Sequence, residues 1–186
     1  MTEPIILDLD DLSTDIPALT GALALQMQEA VVMCMNSQEK SSGVSCDLRN
    51  LDEALGNLRI LWKMSYSERI RRAFGDSRNA AERAGEAIAI LTVLAFTDYT
   101  VIERARIGSG FDFWLSRTDD NEEYLFQHEM GLESKGLSHA KYPSQIVTAV
   151  RDGLAQIRKS KYAKLPALVV ATEFSRPVIY MVQYEP

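Results

Sequence analysis

An aspartate at position 112 and, twenty-one residues later, the triplet Glu133-Ser134-Lys135 have types and spacing that fit a chemical task. Both lie in short apolar runs bounded by glycine, which read as strands over 111–115 and 128–137. Side chains alternate faces along a strand. Asp112 and Trp114 therefore oppose Phe111, Phe113 and Leu115, while Glu133 and Lys135 share a face with Glu129 and Gly131. On neighbouring strands Asp112 and Glu133 sit side by side, with Lys135 one pleat further along. Two such carboxylates can hold Mg²⁺ or Mn²⁺ through oxygen. A bound ion of that kind lowers the pKa of water and polarises a phosphate, and a lysine offsets charge developing in the transition state. That combination is phosphodiester hydrolysis. A glutamate on the preceding helix often completes such a site, and Glu82 and Glu86, one turn apart, are both candidates. The inert account is an aspartate at a glycine turn and a solvated Glu-x-Lys strand face.

The elements that must position these residues follow from periodicity. Residues 79–96 form the clearest helix, almost wholly apolar after Glu86. Residues 99–107 read as a strand that turns through Gly108-Ser109-Gly110 into the Asp112 strand. An acidic loop over 118–123 leads to the Glu133 strand, and Pro143 opens a helix to about 160. Strands over 167–174 and 178–184 follow, separated by Arg176-Pro177. Upstream, 4–9 and 44–48 are short strands and 18–36 a buried helix, with caps offered at Ser13, Thr14 and Asp15. The leucine spacing over 51–62 favours helix, and a short helix carries Arg69, Arg71 and Arg72.

The chain has 186 residues and a formal charge of −6, which excludes a general nucleic-acid binder held by overall charge. A polyanion must instead meet a local patch. Lys141, Arg151, Arg158, Lys159 and Lys161 offer one, although cations also gather at a helix C-terminus for its dipole. Cys34 and Cys46 lack metal-ligand spacing and read as reduced thiols of a cytoplasmic protein. The apolar run 18–35 contains Gln26, Gln28 and Glu29, so no membrane span is expected. His128 and His139, the only histidines, suggest neither a zinc site nor a Ser/His hydrolase.

The order helix with Glu, strand with Gly110-x-Asp112, strand with Glu133-x-Lys135, helix, strand resembles the PD-(D/E)XK nuclease superfamily over about residues 79–174. The resemblance implies an α/β (α+β) fold in a single domain, with a mixed central sheet flanked by helices. Residues 79–186 would form a restriction-endonuclease-like α-β-β-β-α-β core and 1–78 a helical N-terminal elaboration. Asp112, Glu133 and a helix glutamate would be Mg²⁺ or Mn²⁺ ligands, and Lys135 would assist the water. The chain also resembles a group of small bacterial proteins with GFD(Y/F)WL and EFSRP motifs. The matching residues include Ala80-Ala81-Glu82, Gly110 to Leu115, Leu132-Glu133 and Glu173 to Pro177. That likeness favours Glu82 as the helix acid. Members of the group often carry Leu-Glu-Val-Ser-Gly where this chain has Leu-Glu-Ser-Lys-Gly. Two functions are expected: a metal-dependent nucleic-acid hydrolase of bacterial defence or DNA processing, or an inactive nuclease-like subunit. The second would need a protein partner, another copy or a larger complex.

Overall fold

Helix α3, Ser77–Phe96, lies against strand β6, Met130–Leu137, with almost nothing between their backbones. A Cβ on Gly136 would stand 1.8 Å from the carbonyl oxygen of Ala81, and one on Gly85 would stand 2.6 Å from the Gly136 nitrogen. Two facing glycines therefore set how closely this helix rides on the sheet. The computed structural model describes residues 4–118 and 127–186. Beyond Thr118, the acidic loop expected over 118–123 lies outside them.

Among the described residues eight strands form one mixed sheet in the order β1-β3-β2-β8-β7-β6-β5-β4. Strands β4 (Tyr99–Arg104), β5 (Phe113–Arg117) and β6 run antiparallel in succession. Strand β7 (Ala167–Glu173) is parallel to β6, and β8 (Val178–Tyr184) is antiparallel to β7. A parallel seam then joins β8 to β2, Val44–Arg49. Strand β3 (Ala54–Leu61) pairs antiparallel with β2, and β1 (Ile5–Asp8) lies parallel to β3 at the edge.

Helices α1 (Gly21–Ser37) and α3 bury one face of the sheet, packing Met27, Val31, Ile88 and Leu91 over Phe113, Leu132, Val170 and Ile60. Helix α4 (Ser144–Lys159) covers part of the other with Ile146, Val150, Leu154 and Ile157 on Ala167, Val169 and Ala171. A short α2, Glu68–Phe74, precedes α3. The protein is thus an α/β fold with a mixed sheet flanked by helices. Among the described residues no helix is long and apolar enough to cross a membrane.

Two expectations for the first 78 residues need correction. Residues 51–62 are not a helix: Leu58 and Ile60 point into the core while Asn57 and Arg59 face out, the period of a strand. The helical spacing of Leu51, Leu55 and Leu58 is fortuitous. The local signal is Asn50, whose side chain accepts from the backbone N–H groups of Asp52 and Glu53 at 2.8 Å each and so closes the β2–β3 turn. The N-terminal region is therefore not simply a helical addition, because it supplies three of the eight strands. In α1 the cap is Thr20, accepting from the Leu23 N–H at 3.2 Å, rather than Ser13, Thr14 or Asp15.

The Glu173-Phe174-Ser175-Arg176-Pro177 segment is explained by folding. Buried Glu173 accepts from the backbone N–H groups of Ser175 and Arg176, each at 2.9 Å, from the Ser175 hydroxyl, and from Ala140 N–H at 3.3 Å. The Arg176 guanidinium in turn donates to the Ala140 carbonyl at 2.9 Å. One carboxylate thus shapes the β7–β8 turn and fastens it to the β6–α4 connection. Glu173→Ala strands these donors, so it is expected to cost about 3 kcal/mol. A lower urea midpoint with an unchanged slope would report it.

Candidate functional site

The loop 105–112 carries Asp112 to the junction of β5 and β6. Gly110, at φ +91°, presses so closely on the end of α4 that a Cβ would lie 2.5 Å from the Ser160 Cβ. Asp112 N–H donates to the Leu132 carbonyl at 2.8 Å, and its own carbonyl accepts from Ala105 N–H at 2.8 Å. The side chain is held as firmly. Asp112 Oδ2 accepts from the Ser134 backbone N–H at 2.8 Å and from the Ser134 hydroxyl at 2.6 Å.

Glu133 is only 1% exposed. It lies beneath α4, where a Cβ on Gly153 would approach its Cγ to 3.3 Å. Its Oε1 meets the Lys135 ammonium at 2.5 Å, whereas the buried Oε2 has no hydrogen-bond partner. Burial first, and then the negative charge of Asp112, push the Glu133 carboxyl up to about 7 against the pull of Lys135 and the Gln156 amide. An acid so placed is costly to the fold, which marks it as a site candidate.

Beside this pair opens a cleft of about 510 Å³, lined among others by Arg104, Arg106, Asp112, Gln156 and Lys159. Three cations and one carboxylate therefore face the same space. Arg104 is itself braced: it donates to both oxygens of buried Glu86 at 3.0 and 2.8 Å, and its guanidinium lies 4.4 Å over the Phe113 ring. The hydrogen bonds to Glu86, and to a lesser degree the charges of Glu86, Asp112 and Glu82, push the Arg104 pKa further up, so the cation is permanent.

Glu133 and Lys135 meet as an ion pair, and the charge of Asp112 is felt at Glu133, although Asp112 lies in the loop before β5 and not on the strand itself. The structure places Glu82 elsewhere. Ala81 and Gly85 are the residues turned to β6, so Glu82 is rotated about 100° away and is exposed in a separate hollow with Gln26, Phe74, Asn79 and Arg83. Glu86 is bound to Arg83 and Arg104. Among the described residues no three His, Cys, Asp or Glu side chains converge as a metal-holding group. Glu82, Asp112 and Glu133 thus do not form the expected set of three ligands.

Two further expectations change. Strand β5 starts at Phe113, so Phe111 does not share the face of Phe113 and Leu115. It packs instead with Trp114 and Ile102 on the opposite side, its ring over Gly131. The basic segment also divides. Lys159 lines the cleft and Lys161 an adjoining hollow, but Lys141 rests against Tyr142 before the start of α4. Arg151 and Arg158 are exposed along α4 and line neither.

Arg104, Arg106 and Gln156 have no site role in the sequence reading. Arg104 and Arg106 alternate as an ordinary strand end would. The signal for Gln156 was its position three residues from both Gly153 and Lys159, on the flank of α4 beside its buried stripe. No protein-family model, curated protein or solved structure matches this chain.

Proposed function

We propose that this protein is a divalent-metal-dependent nucleic-acid phosphodiester hydrolase with a restriction-endonuclease-like core. The observation that carries the reading is the buried Glu133, paired with Lys135 and raised in pKa by burial and by the charge of Asp112, which itself lines a cationic cleft. The succession α3-β4-β5-β6-α4-β7, with its four strands side by side in chain order, supports it.

The donors suit a hard cation. Mg²⁺ is commonly held by one or two carboxylates, with water and substrate phosphate completing its shell, and the unpartnered Glu133 Oε2 is available for that role. Asp112 and Glu133 would hold Mg²⁺ or Mn²⁺, whose chemistry when bound is to lower the pKa of water and polarise the phosphate. The chain supplies the rest. Arg104, Arg106 and Lys159 attract and orient the phosphate. Lys135, beside Glu133, would offset charge on the phosphoryl oxygens. Ser134 keeps Asp112 from rotating away.

The test is cleavage of labelled DNA and RNA with Mg²⁺ or Mn²⁺. Metal-dependent cutting is expected, reduced at least about 100-fold in Asp112→Asn and in Lys135→Ala. Absence of cutting on every substrate by folded wild-type protein overturns the proposal. One observation favours the alternative of a non-catalytic subunit: Asp112 accepts from Ser134, one Glu133 oxygen is paired with Lys135, and among the described residues no third acid joins them.

A further inference from the structure

A second hollow, of about 360 Å³, lies on the other side of the 105–112 loop. Glu103, Arg106, Trp114, His128, Lys161 and Tyr162 line it. Buried Trp114 meets the rings of Phe111 and Tyr162 edge-on at 4.6 and 5.0 Å. His128 instead lies flat on the indole, at 4.2 Å with 5° between the planes. Glu103 Oε2 stands 2.9 Å from His128 Nε2 and holds the imidazole in that plane.

Core packing accounts for Trp114 and Phe111, which close over Ile102 and Leu165. It does not account for an imidazole that is 42% exposed yet stacked and tethered by a carboxylate. Among the described residues His128 is the outermost ring of the array. Cations flank it: Arg106 and Lys161 line the hollow, the latter 4.9 Å from the Tyr162 ring. Arg106, Ile107 and Gly108 also line the neighbouring cleft, so one loop is the wall between aromatic rings and phosphate-attracting groups.

We propose that this hollow binds an unpaired nucleobase stacked on His128, while the adjoining phosphate lies in the cleft of Arg104, Arg106 and Lys159. The bound nucleic acid is therefore single-stranded where it crosses the loop, since a base inside a duplex has no free face to offer. Aromatic stacking beside a positively charged groove is how single strands are held without regard to sequence. This inference rests on the hydrolase reading of the neighbouring cleft and names its substrate class.

The experiment measures binding alone, in the presence of chelator, by fluorescence anisotropy. The probes are a labelled oligothymidylate and an abasic strand of the same length and charge. Wild-type protein is expected to bind the base-bearing strand about tenfold more tightly. His128→Ala, an exposed change, is expected to erase that preference without altering affinity for the abasic strand, and His128→Phe to retain it. Equal affinity of the wild type for both strands, binding of neither, or an undiminished preference in His128→Ala overturns the proposal. A base preference without metal-dependent cleavage keeps this pocket and removes the hydrolase reading; cleavage without a base preference does the reverse.

Discussion

Glu133→Gln is expected to abolish cleavage and, at the same time, to make the protein more stable above pH 7. The sign follows from the raised pKa. The folded chain holds the Glu133 proton up to about pH 7, whereas the unfolded chain releases it near the ordinary value of 4.5. Stability contributed by the neutral acid is thus complete below about pH 4.5 and lost as pH climbs towards 7. The loss amounts to roughly 3 kcal/mol at most. Glutamine keeps the shape of the protonated acid and cannot ionise. Thermal melts of wild type should therefore fall between pH 5 and 7 relative to those of the variant, leaving Glu133→Gln ahead by about 5 °C at pH 8. Cleavage by the wild type should rise across the same interval, because only the carboxylate can serve as a ligand. A variant no more stable than wild type at pH 8 would show that Lys135 already compensates the buried charge.

The second large effect concerns a residue with no chemistry of its own. Gly136→Ala would drive a methyl group into the Ala81 carbonyl, and both partners are backbone, so no rotamer change relieves the contact. A loss of about 3 kcal/mol or more is expected, and insoluble protein if α3 is forced off the sheet. Gly21→Ala makes the control, since nothing lies within 4 Å of a Cβ there. That change should be neutral or stabilising by about 0.5 kcal/mol. Denaturant midpoints of the two variants would separate a true backbone contact from a general intolerance of added methyl groups.

Much of the second half of the fold could be read because its apolar runs are unambiguous. The alanine-rich stretch after Glu86 suits only a buried helix, and Ala167 to Glu173 is an unbroken buried strand. Glu133 and Lys135 were placed correctly by alternation alone, on a face opposite Leu132 and Ser134. The first half was harder. Strand β3 is exposed over its first four residues, which leaves only Leu58 and Ile60 to declare its period, against leucines at helical intervals. At the site, the Asp112 neighbourhood eluded alternation because the residue precedes its strand and sits in the loop that α4 pins through Gly110. Arg104, Arg106, Gln156 and the stack on His128 depend on contacts between elements distant in the chain, which local pattern does not encode.

The parallel seam between β2 and β8 has a consequence for the time order of assembly. Asp47 finds its partner in Val178, and β6 finds its own in β7, so the last two strands in chain order form the bridge between both halves of the sheet. During synthesis the β1–β3–β2 group and the β4–β5–β6 group must wait, each with a row of unpaired backbone groups, until that bridge emerges. Such long-range closure makes for slow folding and for a growing chain whose bare strand edges invite mispairing.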